Sequence, residues 1–216
     1  MQEIIQQICI WALPILFAIT LHEAAHGYVA HKLGDHTAYL LGRVSANPFK
    51  HIDLVGTIIV PLILVVSSGF IFGWAKPVPV DGRNLKKPRR DMALVALAGP
   101  TSNFLMALLW AGVFKFGIYL TAQKFIYGEP IALMGQAGIL INLVLMVLNL
   151  IPLPPLDGSR VLASTLPPKT AYQFNRLEPY GFVILIVLML LGVLSKVIGP
   201  PVMWLSKAIL ALFQIG

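Results

Sequence analysis

Charge is what this sequence has least of. Only 12% of its 216 residues are charged and nine are acidic, against about 25% charged in soluble domains. With 57% hydrophobic residues and a mean hydropathy of +0.81, the chain cannot hide its apolar surface in a water-soluble fold of this size. The apolar runs lack the dyad alternation of a barrel, which leaves an integral membrane protein built from helices. A single cysteine, Cys9, permits no internal disulfide and says nothing about redox compartment. No basic stretch precedes the first apolar run, so a cleavable signal peptide is not expected. The net charge of +7 comes from few acids plus clustered basic loops, chiefly Arg83, Lys86, Lys87, Arg89 and Arg90. That pattern is a membrane-topology signal and not a nucleic-acid footprint. Internal repeats, flexible linkers and a soluble domain of useful size are also missing, so residues 1–216 are expected to form a single membrane-embedded domain.

Apolar runs cover residues 4–29, 54–72, 92–116, 131–151 and 181–197, with a shorter one at 202–213 after Pro200-Pro201. They predict an all-α polytopic membrane protein of five to six membrane-embedded helices. The run 54–72 is interrupted by Gly56, Pro61, Ser67, Ser68 and Gly69, and is the candidate for a re-entrant segment. Two stretches read as short β elements. Residues 37–44 carry β-type side chains between glycines, and residues 74–81 form a proline-punctuated run that suits an edge strand.

Polar groups at membrane depth need a reason, because a charge at the centre of a spanning helix costs roughly 2.5–3.5 kcal/mol. The first run nevertheless ends in His22-Glu23-Ala24-Ala25-His26. Positions i and i+4 share a helix face, so His22 and His26 can hold one metal ion together. Glu23 can then reach a water on that metal as general base. A catalytic zinc site takes three protein ligands, and Asp157 is the candidate third. It adjoins the end of an apolar run and follows a broken helix, whereas Asp35, Asp53, Asp81, Asp91, Glu129 and Glu178 lie in loops or at segment edges where solvation accounts for them.

The break before Asp157 contains Pro152, Pro154 and Pro155, which cannot continue a helix. Carbonyls freed there must find partners or line a wet cavity. An extended wall at Pro152 and Pro154 could also pair with the backbone of an unwound substrate. Asn149, eight residues before Asp157, could offer its amide to a developing oxyanion or to substrate. Asn142 lies two helical turns earlier on the same face and is a candidate substrate contact. Interhelical hydrogen bonding accounts for Asn149 equally well, more readily for Asn142, and still more readily for Asn103. His31, His36 and His51 flank the first run, where surface positions explain them.

These residues resemble the site-2 protease family of intramembrane zinc metalloproteases. The resemblance covers most of the chain. It is carried by His22-Glu23-Ala24-Ala25-His26-Gly27 with Leu33-Gly34-Asp35, by Ala46-Asn47-Pro48, and by Gly73-Trp74-Ala75-Lys76-Pro77-Val78-Pro79-Val80. Gly99-Pro100 with Asn103, and the stretch from Asn149 through Pro152-Leu153-Pro154-Pro155-Leu156-Asp157-Gly158, complete it. It implies His22, His26 and Asp157 as ligands of one zinc ion per chain, Glu23 as general base and Asn149 as a substrate or transition-state contact. It also implies transmembrane protein substrates cut within or near the bilayer of a bacterial or archaeal cell. The PDZ or CBS module common in the family is not recognisable here, so the chain resembles a minimal form.

Ligands of one ion must meet at one depth, so the run ending in His26 and the run before Asp157 should point the same way. One intermediate run should then be re-entrant. Positive-inside counting puts both flanks of 54–72 in the cytoplasm, together with Arg160, Lys169 and Arg176. The N-terminus is then outside and the site lies toward the cytoplasmic side. The alternative is a full crossing, with the ligands meeting through uneven tilt. Two other functions share this sequence pattern, a membrane metal-ion carrier and a catalytically silent scaffold derived from a protease.

Overall fold

The computed structural model describes residues 2–53, 56, 59 and 76–215. Helix α1 spans Gln2–Leu33 and carries Pro14 in its interior. A single turn, α2 (Thr37–Leu40), and two 3₁₀ turns (Pro48–Lys50 and Gly82–Asn84) follow. The long helices α3 (Pro88–Ala122) and α4 (Gly128–Asn149) come next. Two short helices, α5 (Asp157–Thr165) and α6 (Pro168–Asn175), lead to α7 (Glu178–Leu190) and α8 (Val193–Leu212).

The core is an antiparallel stack of α1, α3 and α4. On α3 and α4 the contacts run in opposite chain directions: Gly117 meets Ala132, Phe114 meets Gly135, and Trp110 meets Gly138. Small residues at 128, 132, 135 and 138 recur at three- and four-residue steps, which places them on one face of α4 and lets the backbones close in. Apolar lipid offers helices no hydrophobic reason to associate, so this close packing does the joining. Between α1 and α3, Asn103 meets Ala18 and His22, while Val95 meets His26. The far end is fixed where the Lys86 N–H donates to the Leu33 carbonyl at 3.1 Å. Being antiparallel to the same helix, α1 and α4 run in one direction, as ligands meeting at one depth require.

Among the described residues, four helices are long and apolar enough to cross a membrane: residues Ile5–Leu33, Pro88–Ala122, Gly128–Asn149 and Val193–Leu212. Counting α6 and α7, which bend by 60°, as one broken span gives five. Apart from residues 56 and 59, the run 54–72 lies outside the described residues, as do the first two residues of 74–81. Their described flanks meet, with the Lys76 N–H donating to the His51 carbonyl at 2.9 Å.

Three expectations change. Residues 37–44 are not a strand: the Asp35 carboxylate accepts from the Thr37 N–H (3.1 Å) and hydroxyl (2.5 Å), which starts a helical turn, and Gly42 at φ +64° ends it. Local hydrogen bonding outweighs the β preference of the side chains. Residues 76–81 belong to no helix or sheet, and no strand occurs among the described residues. The break in the last apolar region falls at Gly192 (φ +69°), not at Pro200-Pro201, which sit inside α8. Positive φ is where a side-chain-free residue turns the chain at little cost.

Candidate metal centre

Helix α1 presents His22 and His26 on one face, with ring centroids 4.6 Å apart. Asp157 reaches them from the other end of the sequence, as the first residue of α5. The proline-rich turn before it is held by the Leu153 N–H on the Ile151 carbonyl (2.8 Å) and the Leu156 N–H on the Leu153 carbonyl (2.9 Å). Asp157 Oδ2 then lies 3.2 Å from His22 Nε2 and 3.3 Å from His26 Nε2, and the two Nε2 atoms are 3.0 Å apart. All three residues are buried, and they form the one group of three or more metal-capable side chains among the described residues.

The donor set fits a metal ion. Two imidazole nitrogens and one carboxylate oxygen suit zinc and leave a position open for water. Asp157 Oδ2 is buried with no hydrogen-bond partner, which is costly unless a cation answers it. The outer nitrogens of the rings are occupied: His26 Nδ1 bonds the Val95 carbonyl at 2.7 Å, and His22 Nδ1 lies 2.6 Å from Asn103 Oδ1. Such partners fix ring orientation around a metal. Gly99 of α3 faces the pair. A Cβ there would stand 2.5 Å from both His22 Cε1 and His26 Nε2, so only glycine lets α3 lie this close.

Glu23 is half-buried, and its Oε2 accepts the Val78 N–H at 2.7 Å. His22 and Glu23 open onto a largely apolar cavity of about 1270 Å³ between α1, α4, α7 and α8, which Asn149, Pro155 and Leu156 also line. This exceeds the roughly 300–1,000 Å³ of ordinary small-molecule pockets. The Asn149 amide donates to the Leu145 carbonyl at 3.0 Å.

The other candidates are placed differently. Asn142 is fully buried, donating to the Gly138 carbonyl (2.9 Å) and accepting from Asn103 Nδ2 (3.0 Å), away from the cavity. Pro152 is exposed, and Pro154 is buried beneath Gly181, so the proline wall facing the cavity is Pro155. His51 is buried, not on the surface, with Nε2 on the Ser45 carbonyl at 2.9 Å.

Sequence reasoning also missed Asp35, assigned to a solvated loop but fully buried. Its carboxylate accepts from Thr37, Asn84 Nδ2 (3.1 Å) and the Asp81 N–H (2.7 Å). Burial pushes its pKa up, but these hydrogen bonds outweigh burial and hold it below the ordinary carboxylate value. Asp35 thereby ties the end of α1 to the 76–84 segment that carries Val78. The Leu33-Gly34-Asp35 run, flagged only by resemblance, was the available signal.

An apolar helical bundle with two imidazoles, a carboxylate and an adjacent glutamate can hold a metal ion beside a group able to take a proton. The chain is 39% identical to the Bacillus subtilis protein named "Putative zinc metalloprotease YwhC", over 94% of this chain and 90% of that one. It is 27% identical to a Mycolicibacterium smegmatis protein and 29% identical to a Mycobacterium tuberculosis protein, both named "Putative zinc metalloprotease Rip2", in each case over 88% of this chain and 70% of the relative. The chain belongs to the site-2 protease family of zinc metalloproteases. No family model matches it, and no solved structure does.

Proposed function

We propose that this protein is an intramembrane zinc endopeptidase that hydrolyses peptide bonds of transmembrane proteins within or near the bilayer, with its site toward the cytoplasmic face. The observation that carries the reading is the convergence of His22 Nε2, His26 Nε2 and Asp157 Oδ2 within 3.3 Å of one another, beside Glu23 at an apolar cavity.

His22, His26 and Asp157 would hold the zinc. When bound, zinc lowers the pKa of its water to about 7 and polarises the scissile carbonyl. Glu23, held by the Val78 N–H, takes the proton of the attacking water and passes it to the leaving amine. Water is consumed, the C–N bond breaks, and one carboxyl and one amine product result. Asn149 has spent one amide hydrogen on Leu145; its second serves the carbonyl oxygen as charge develops there. The cavity walls on α4, α7 and α8 are apolar, which suits a hydrophobic substrate segment and excludes bulk water. The 76–81 segment, with Pro77 and Val78 beside Glu23, and the turn at Pro155-Leu156 flank the site and suit pairing with an unwound substrate backbone.

The test is a reconstituted cleavage assay with a single-span substrate in lipid vesicles. Glu23→Gln is expected to bind one zinc per chain and not to cleave, and Asp157→Ala to lose the metal. Retained cleavage by Glu23→Gln would overturn the mechanism. Zinc flux across the vesicle without cleavage would favour a metal carrier.

A further inference from the structure

Both imidazoles of the centre turn one nitrogen outward, but only one of them meets a group of fixed polarity. His26 Nδ1 faces the Val95 carbonyl, which can only accept, so Nδ1 carries a proton and the neutral ring has its lone pair on Nε2. His22 Nδ1 faces the side chain of Asn103, and an amide can present either its oxygen or its NH₂ group. The far end of the network decides which.

Asn142 lies 2.9 Å from the Gly138 carbonyl. That oxygen only accepts, so Asn142 presents NH₂ to it and turns its own oxygen toward Asn103. Asn103 nitrogen is 3.0 Å from that oxygen and 3.1 Å from the Ala18 carbonyl. Both of its amide hydrogens are spent, and only its oxygen remains for His22, at 2.6 Å. His22 must therefore donate from Nδ1, and the neutral ring carries its lone pair on Nε2, the atom 3.2 Å from Asp157 Oδ2. Free neutral imidazole favours the opposite tautomer. Asn103 and Asn142 are both fully buried, so water does not compete for these bonds.

We propose that Asn103, oriented by Asn142, is the positioning residue for His22: the pair relays the polarity of the Ala18 and Gly138 carbonyls to the imidazole and fixes the tautomer that can bind metal. Residue 103 is an amide and not a carboxylate because its other half has to donate to two acceptors. The relay draws on the metal-centre reading above but not on proteolysis.

The test uses full-length protein in detergent, metal-free, with ¹⁵N-labelled histidine, at a pH where the imidazoles are neutral. In the wild type, His22 and His26 are both expected as the Nδ1–H tautomer. In Asn103→Leu, His22 alone should shift toward Nε2–H while His26 stays unchanged, and zinc affinity measured by chelator competition should fall about 10–100-fold. Asn103→Asp still accepts from His22 and should restore the Nδ1–H signal with part of the affinity. A merely structural asparagine would leave the tautomer where it was. Wild-type His22 observed as Nε2–H would overturn the proposal, as would a folded Asn103→Leu variant with unchanged tautomer and zinc affinity. Should Asn103→Leu not fold, the wild-type spectrum and the Asn103→Asp variant decide. A protein that shows the Nδ1–H tautomer but binds no zinc would uphold the relay and sink the metalloprotease reading instead.

Discussion

The Val78 backbone N–H donates to Glu23 Oε2 at 2.7 Å, across 55 positions of sequence. In Pro77-Val78-Pro79 this is the one N–H available, because neither proline has one. The proline-flanked segment thus gives its donor to the carboxylate proposed as general base. Val78→Pro removes that donor without touching a metal ligand. A hydrogen bond to a charged group is worth about 1.5–3 kcal/mol, so cleavage should fall roughly ten- to hundredfold at unchanged zinc content. Cleavage rate and metal analysis on one preparation check this, and an unaltered rate would deny Val78 any part in holding Glu23.

Gly99→Ala is ordinarily a helix-stabilising exchange, by about 1 kcal/mol. Here the new Cβ would stand 2.5 Å from atoms of both histidine rings. The expected outcome is unchanged helix content by circular dichroism with zinc affinity lowered at least about tenfold, on the scale by which disturbed ligand orientation weakens metal sites. Chelator competition measures it.

Asp35 predicts an acid limb of stability. Its folded pKa lies below the unfolded value of about 3.9. The stabilisation is therefore fully present above that value and is lost as pH falls through the lower folded pKa. Asp35→Asn should remove this component and cost about 1–3 kcal/mol near neutral pH, where the charged acceptor is lost. Thermal unfolding in detergent from about pH 3 to 7 reads both effects, and parallel pH profiles for the two proteins would contradict it.

Two glycine-to-alanine exchanges should move stability in opposite directions. At Gly135 a Cβ would meet the backbone of the facing helix, 2.5 Å from Phe114 N. Backbone cannot step aside, so overpacking by about 1–3 kcal/mol is expected. At Gly199 a Cβ would meet nothing within 4 Å, and helix propensity should add about 1 kcal/mol. Melting temperatures of the two variants test the seam between α3 and α4.

The legible part of the site was the part written in local spacing. His22 and His26 are four residues apart on one helix, and Asp157 follows a proline break, so depth and helix periodicity were enough to bring them together. The shared direction of α1 and α4 followed from the same constraint. What stayed hidden depends on tertiary polarity. Interhelical hydrogen bonding is the readier expectation for Asn103 and Asn142, but nothing in their neighbourhood indicates that they bond each other, and the spacing of Asn142 from Asn149 made it a candidate cavity contact as well. Asp35 looked solvated because its donors come from residues 37, 81 and 84. The chain break after α7 was assigned to Pro200-Pro201, the stronger local signal, whereas the turn is made by Gly192 in a left-handed conformation.

The cavity beside His22 and Glu23 also bears on inhibition. It joins a site for a chelating group to a broad apolar chamber between α4, α7 and α8. A compound pairing a zinc-binding head with a lipid-like tail need not imitate a peptide to occupy both. On the proposed reading, in which the chamber lies within the bilayer, such a compound would partition into lipid first, and its potency should track membrane solubility as much as head-group strength. Soluble zinc proteases, whose clefts open to water, would gain little from the tail, and selectivity would come from the compartment in which the chamber lies.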